Sequence, residues 1–186
     1  MFYRINHLSG NKVTVFYFIR HGEPEWSLTE TNKLKGHSRD LVPLTEKGIQ
    51  QAKAISKDTR LKNAGIIISS PYTRALQTAA ILSKELGIDL KVEFDLREWQ
   101  PDLSFQYDSM EKLHELTKDY ELHKGIYPIN ETRLWETKES VKKRIAGVLC
   151  KYLEYPSVIV VAHSMIFGTI SPFDKMACCE ILEHKQ

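Results

Sequence analysis

The chain has 186 residues, 26 Lys plus Arg against 24 Asp plus Glu, a formal net charge of +2 and 42% hydrophobic residues. Such a length suits one domain that buries roughly 70% of its unfolded surface without help from disulfides or metals. The charge is too small and too evenly spread to indicate nucleic acid or a membrane surface, whereas a small anion needs only local positive charge.

Met1 to Lys12 carries Arg4 and polar residues and lacks the apolar run of a signal peptide. No window approaches the roughly 18 consecutive apolar residues of a membrane span. Val13 to Ile19 is uncharged, alternates β-branched with aromatic residues, and reads as a strand buried on both faces of a largely parallel sheet. It delivers Arg20 and His21 to its carboxyl end, where such sheets collect ligands, and Gly22 lets the backbone turn sharply. After a polar loop containing Gly36, Thr45 reads as the N-cap of a helix running to about Leu61, with Ile49, Ala52 and Ile55 on one side. Ile66 to Ile68 is a short buried strand. Ser70 and Pro71 read as N-cap and first residue of a helix that ends near Leu86 and is closed by Gly87. Leu90 to Phe94 is strand-like and leads into Leu96-Arg97-Glu98-Trp99.

Gln100 to Glu136 is less regular, with a helix expected from Ser109 to His123 and a loop through Gly125, Pro128 and Asn130. It reads as an insertion near the site, and its exposed apolar residues suit a homodimer as well as a monomer. A helix from about Thr137 to Tyr155 packs Val141, Ile145, Val148, Leu149 and Tyr152 into the core. Ser157 to Ala162 is a second uncharged strand and ends in His163. Cys179 to Leu182 reads as a last edge strand. The order predicts one α/β domain over residues 1–186, with crossovers between mostly parallel strands. Cys150, Cys178 and Cys179 lack metal-ligand spacing and read as reduced, packed thiols, which favours the cytoplasm.

Two buried parallel strands that each end in a histidine would place both imidazoles in one crevice. Arg74, in the first turn of its helix, adds a guanidinium where the dipole already favours an anion. These pieces make a phosphate pocket, because arginine forks grip non-bridging oxygens while a neutral imidazole attacks phosphorus in line. A phosphoryl group in transfer is stabilised mainly by position and fixed positive charge, here from Arg20, Arg74 and a protonated His163. Glu98 is the expected proton donor to the leaving oxygen and Glu23 its competitor. His37, beside Gly36, is placed at the pocket mouth or on an exposed loop; His7, His114, His123 and His184 are read as surface residues. Trp99, Phe105, Tyr107 and Trp135 read as packing or as an apolar wall against the organic part of a substrate. No histidine has the helical i, i+4 spacing of a zinc motif and the acids are not clustered, so neither metal nor cofactor is expected.

Arg20-His21-Gly22-Glu23 with Trp26, then Gly36, Asp40, Pro43-Leu44-Thr45, Gly48 and Gln51-Ala52, then Ser69-Ser70 with Arg74-Ala75 and Gln77-Thr78-Ala79, then Leu96-Arg97-Glu98, and last Val161-Ala162-His163 form ordered blocks. Together they resemble the histidine phosphatase superfamily, in its phosphoglycerate mutase-like branch, from about Val13 to about Cys179. The resemblance implies a three-layer α/β/α sandwich, a phosphohistidine intermediate and a small phosphorylated substrate, with no metal. It assigns His21 as nucleophile, Arg20, Arg74 and His163 as phosphate ligands, and Glu98 as proton donor. Gly36, His37, Ser27 and Ser164 join the substrate-binding set. Ser27 stands where many members carry asparagine, Ser164 where glycine is usual, followed by Met165, and Lys138-Glu139-Ser140 where Gly-Glu-Ser is familiar. Hydrolysis of phosphomonoesters is the leading expectation. A mutase is the runner-up, set back by a short and irregular stretch between Glu98 and His163, and a phosphate-binding protein without turnover is the third reading.

Overall fold

The uncharged, β-branched and aromatic runs form the strands, since these side chains suit a pleated surface covered on both faces. The computed structural model describes residues 13–186; the readings made for Met1 to Lys12, His7 included, lie outside the described residues. Strands β1 (Val15–Arg20), β2 (Ile66–Ser69), β3 (Leu90–Val92), β4 (Ser157–Ala162) and β5 (Ile181–Lys185) make one sheet in the order β3-β2-β4-β1-β5. The pairings β1 to β4, β4 to β2 and β2 to β3 are parallel, and β5 runs antiparallel to β1 at the edge. Among the described residues six α-helices accompany the sheet: α1 (Ser27–Thr31), α2 (Glu46–Ile55), α3 (Thr73–Leu86), α4 (Met110–Leu122), α5 (Lys138–Cys150) and α6 (Ser164–Gly168).

Strand alternation divides the core in two. Phe16, Phe18, Ile66, Ile68, Val158 and Val160 face one side and meet Val141, Ile145, Val148 and Leu149 of α5. Ile19, Ile67, Ile159 and Val161 face the other and meet Ala75, Ala79 and Leu82 of α3. Each helix contributes one apolar stripe, so helices flank both faces of the sheet, as the sequence predicts.

Several boundaries differ from expectation. The helix capped by Thr45 ends at Ile55 instead of Leu61, because the Asp58 carboxylate caps a separate short turn at Thr59–Leu61 by accepting from the Arg60 amide. The next helix starts at Thr73 with Tyr72 as N-cap, not at Ser70 and Pro71; the Ser70 hydroxyl accepts from the Tyr72 amide at 3.2 Å, in a local turn that precedes the helix, and also meets His163. Gly87 closes it in the left-handed conformation at φ 68°, as expected. β3 stops at Val92, where Phe94–Leu96 begins a 3-10 turn, and α5 ends at Cys150, followed by turns through Tyr155. The last strand is Ile181–Lys185, since Cys179 takes a positive φ and donates its amide to the Arg20 carbonyl. Helices α1 and α6 are too short to show a period and were not expected. Cys150 is exposed, contrary to the packed reading, and only Cys179 is buried. His184 is half-buried and stacks on Phe18 with ring centroids 5.3 Å apart, so it is not a surface residue.

The turn after β1 lies backbone to backbone on α2. A Cβ at Gly48 would come within 2.3 Å of the Glu23 carbonyl oxygen, and one at Gly22 within 2.6 Å of the Gly48 carbonyl oxygen. Gly147, on the exposed side of α5, has nothing within 4 Å. Gly48→Ala is therefore expected to lower unfolding free energy by about 1–3 kcal/mol through overpacking. Gly147→Ala should raise it by about 0.5–1 kcal/mol through helix propensity. Urea unfolding followed by circular dichroism checks both, and effects of the same sign would contradict this packing.

Candidate active site

Register fixes the first relation in the site. Arg20 pairs with Ala162 across β1 and β4, so the next residues, His21 and His163, leave the sheet side by side with ring centroids 5.2 Å apart. The loop that carries His21 is held by side chains of the helices on its flank. Thr78 Oγ1 accepts from the Gly22 amide at 3.0 Å, Gln51 Oε1 from the Glu23 amide at 2.8 Å, and Gln77 Oε1 from the Leu44 amide at 2.7 Å.

The His21 ring is buried, and its Nδ1–H donates to the Gly22 carbonyl at 2.8 Å. That bond leaves the Nε2 lone pair free to act, and Arg74 Nε donates to it at 3.3 Å. Arg74 reaches further: Nη1 to Asp40 Oδ1 at 3.0 Å and Nη2 to His163 Nδ1 at 3.4 Å. Its guanidinium carbon lies 5.1 Å from the Trp26 ring centroid and 5.3 Å from that of Tyr72, within cation–π range. Because Arg74 can only donate, His163 Nδ1 carries a lone pair, and its Nε2–H donates to Ser70 Oγ at 2.8 Å. Glu98 Oε2 lies 3.9 Å from the same Nδ1.

Burial shapes the protonation states in opposite directions. Desolvation and the positive charge of Arg74 push His21 down to about 3, despite the opposing Gly22 hydrogen bond. The same two causes hold His163 well below the usual imidazole range, so in the free site it is neutral. This corrects the expectation of a protonated His163; the fixed positive charge here belongs to the arginines. Glu98 is pushed up to about 7, chiefly by desolvation and against the stabilising Trp99 amide and Arg74. Burial also raises Asp40, opposed by Arg74.

Glu98 sits on the segment that follows the Phe94–Leu96 turn, and α5 holds that segment in place. Arg144 donates to the backbone carbonyls of Asp95, Arg97 and Glu98, and forms a two-point ion pair with buried Glu136 at 2.9 and 3.0 Å. Arg97 pairs with Asp95, so it does not claim the Glu98 carboxylate. Glu23, the competing acid, is bound to Lys47 at 2.6 Å and to Thr45.

Around these groups lies a cleft of 320 Å³ whose walls include Arg20, His21, Asp40, Arg74, Glu98 and Trp99. The sequence profile of the histidine phosphatase superfamily (branch 1) matches residues 16–171, which span β1, α3, β4 and the whole site. The chain belongs to the histidine phosphatase superfamily.

Among relatives in this superfamily, a protein described as a probable phosphoglycerate mutase of Salmonella typhi is 28% identical over 161 residues, 83% of this chain and 71% of that one. A phosphoglycerate mutase structure from Bacillus anthracis superposes with a TM-score of 0.69 at 22% identity, covering 94% of this chain and 88% of that one. A mycobacterial glucosyl-3-phosphoglycerate phosphatase gives 0.67 at 20% identity, with 94% and 90% covered.

The histidine phosphatase residues predicted to converge do so in part. His21, Arg74, His163 and Glu98 form one connected cluster. Arg20 borders the cleft, donating through Nη1 to the Met176 carbonyl at 2.6 Å, and its Nε is buried without a partner among the described residues. Ser27 bonds to Glu25 and lines an adjacent cavity, not the His21 cleft. Gly36, at φ 48°, lets the Phe105 carbonyl approach and donates to the Tyr107 carbonyl, so it shapes the rim without touching the cluster. His37 stacks on Phe105 at 4.0 Å and stands 3.9 Å from Asp40, at the mouth. Ser164 opens α6 and lines a different cavity. Of the aromatic residues, Trp99 and Tyr107 border the cleft, Trp135 is core, and Phe105 is exposed. His114, read as a surface residue, is exposed but stands on the cleft wall.

Sequence reasoning named Asp40 and Thr78 without giving them work, and gave Ser70 a different role, as a helix cap. Thr78 stands four residues after Arg74, a spacing that puts both on one helix face and offered a signal. Arg144 was missed, because nothing local marks a charged residue on a core helix as structural. Arg144→Met strips buried Glu136 of its two-point partner, leaving the Ser140 hydroxyl and Arg97 at 4.0 Å, and the expected loss is about 3 kcal/mol in guanidinium unfolding. Adding Glu136→Gln should recover part of it; no recovery would place the loss outside the pair.

Proposed function

We propose that this protein is a phosphomonoesterase that hydrolyses small phosphorylated metabolites through a phosphohistidine on His21. The observation that carries this reading is the His21 Nε2 lone pair, presented beside Arg74 in a cleft whose walls also carry Glu98, a carboxyl pushed up to about 7. The substrate's phosphate would displace the hydrogen bond between Arg74 and Nε2 and take the arginine's donors on its non-bridging oxygens, with the unpartnered Arg20 Nε as a further donor. The Nε2 lone pair then attacks phosphorus as the ester P–O bond breaks. Glu98 gives its proton to the departing oxygen. In the second step water gives a proton to the Glu98 carboxylate and its oxygen attacks the phosphohistidine, releasing phosphate and neutral His21. The Gly22 carbonyl, accepting from Nδ1, supports the imidazolium charge of the intermediate. Metal-independent turnover in the cytoplasm fits this chemistry; among the described residues no helix is long and apolar enough to cross a membrane.

Mutase chemistry is the second reading, favoured by the Salmonella relative. It shares the first step and differs in returning the phosphoryl group to a second hydroxyl.

Wild-type protein is expected to release phosphate from an aryl phosphate in the presence of chelator, and His21→Ala to lose at least about 10³ in kcat. Dependence on added divalent metal, or phosphate binding without turnover, would overturn the hydrolase reading. Isomerisation of phosphoglycerate outpacing its hydrolysis would favour the mutase.

Glu98 must be protonated to act, so kcat/KM should fall about tenfold per unit as pH rises through 7, while loss of the nucleophile by protonation waits until near pH 3. Glu98→Gln should remove the alkaline fall and slow alkyl esters by about 10²–10⁴, with much less effect on aryl esters. An unchanged alkaline limb in that variant would remove Glu98 from the acid role.

A further inference from the structure

Glu98 and Arg74 reach the cleft from different strand ends, and the sheet alone does not fix the distance between them. Ser69 of β2 pairs with Val92 of β3, and the Glu93 amide donates to the Ser69 carbonyl at 2.9 Å. Beyond that point the two segments diverge. One turns into α3, which carries Arg74, and the other runs through the Phe94–Leu96 turn to Glu98. Among the described residues no backbone hydrogen bond joins residues 70–74 to residues 94–100. A side-chain bond does: Gln100 Nε2 donates to Tyr72 Oη at 2.7 Å, and both residues are buried.

Each end of that bond lies two residues from a cleft side chain, since Tyr72 precedes Arg74 as N-cap of α3 and Gln100 follows Glu98. Gln100 is fixed at its backbone by Glu136, which donates its amide to the Gln100 carbonyl at 2.8 Å and accepts the Gln100 amide at 3.4 Å. The Gln100 Nε2 also donates to the Glu98 carbonyl at 3.1 Å, so the side-chain amide grips the acid's own backbone while it holds Tyr72. On the other side the Tyr72 hydroxyl hydrogen-bonds to the Asp40 carboxylate, which accepts from Arg74 at 3.0 Å. Desolvation and the Asp40 charge push the Tyr72 hydroxyl well up, so it keeps the proton it donates. The Tyr72 ring completes the link, 5.3 Å from the Arg74 guanidinium carbon and edge-on to His163 at 5.4 Å. Two apolar side chains would fill this space without donors to satisfy. A polar pair whose partners are all present instead makes the geometry unique and rigid.

Resting on the hydrolase reading above, we propose that Tyr72 and Gln100 are positioning residues whose hydrogen bond sets where Glu98 stands relative to a phosphate on Arg74, and so governs protonation of the leaving oxygen. Neither residue lines the cleft, and both act through the groups they hold. Without the bond, the Glu98 segment keeps its anchor to α5 through Arg144 but loses its tie to the helix that carries Arg74. A displacement well below 1 Å is enough to weaken transfer of a proton to a departing oxygen.

The test compares kcat/KM for an alkyl and an aryl phosphate in Tyr72→Phe, Gln100→Met and the combined variant. An alkoxide leaves only with a proton from Glu98 and an aryl oxide largely without one, so the alkyl-to-aryl ratio reads the placement of the acid. Each single variant should lower that ratio by about fivefold or more, and the combined variant should match the single ones, because one bond is removed in all three. In a Glu98→Gln background, where there is no proton to place, Tyr72→Phe should leave the ratio unchanged. Equal slowing of both esters, as a loss through Arg74 or general destabilisation would give, would overturn the proposal and leave the hydrolase reading standing. So would an unaltered ratio, additive effects of the two substitutions, or the same fall in the Glu98→Gln background. Should Gln100→Met fail to fold, Tyr72→Phe with and without Glu98→Gln still decides the matter. Wild-type protein that turns over neither ester would overturn both readings.

Discussion

The Arg74 guanidinium touches groups of opposite demand, and the arrangement of the site follows from reconciling them. It donates to two neutral imidazoles and to the Asp40 carboxylate while lying against the rings of Trp26 and Tyr72. A buried cation needs partners for its donors, and here carboxylate, lone pairs and ring faces share that role. Because Arg74 only donates, it fixes which nitrogen of each histidine carries the lone pair. His21 presents Nε2 and His163 presents Nδ1 toward the same charge. The tautomers, and with them the nucleophile, are set by a residue that does no bond-making itself.

The sheet supplies the other half of that constraint. Parallel pairing of β1 and β4 places residues 21 and 163 next to each other, but pairing alone leaves the loop after β1 free to swing. Thr78, Gln51 and Gln77 remove that freedom by accepting from three amides along the loop and its continuation. Gly22 and Gly48 allow the contact that such bonds need. Precision at His21 therefore comes from helices α2 and α3 as much as from the strand that carries it, a division suited to a site built on rigid elements with a supporting shell.

Much of this was legible in the sequence because uncharged β-branched and aromatic runs mark buried strands: Val13 to Ile19, Ile66 to Ile68 and Ser157 to Ala162 read as strands, and strands of the sheet occupy all three. The meeting of His21, His163 and Arg74 followed from parallel order and one helix N-terminus. Less legible were the features set by side chains acting on distant backbone. Arg144 and Glu136 hold the Glu98 segment across gaps in sequence that no local pattern records. Ser70 looked like a helix cap because Ser-Pro usually is one, yet its hydroxyl is shared between the Tyr72 amide and His163, and the helix starts later, at Thr73. Ser27 lay in the right motif and points to the wrong cavity, since Glu25 holds its hydroxyl. The charge of His163 was also misjudged. The positive charge that a transferring phosphoryl group calls for suggested a proton, and complete burial beside a guanidinium disfavours it in the free site.

That misjudgement bears on how one crevice supports both a base and an acid. Desolvation penalises whichever form is charged, so the same burial lowers an imidazole and raises a carboxyl. At His21 the Arg74 charge reinforces desolvation, and the ring stays unprotonated down to about pH 3. At Glu98 the arginines oppose desolvation, and the carboxyl stops at about 7 rather than rising further. Near neutrality the nucleophile is thus almost wholly in its reactive form, while a large share of the acid still holds its proton. Placing more positive charge at the cleft would leave the first condition intact and erode the second, because it would pull the Glu98 proton off. Asp40, tied to Arg74 at 3.0 Å, works against that excess. Its partial neutralisation of the guanidinium helps hold Glu98 in the range where it can both give a proton to a departing oxygen and take one back from water.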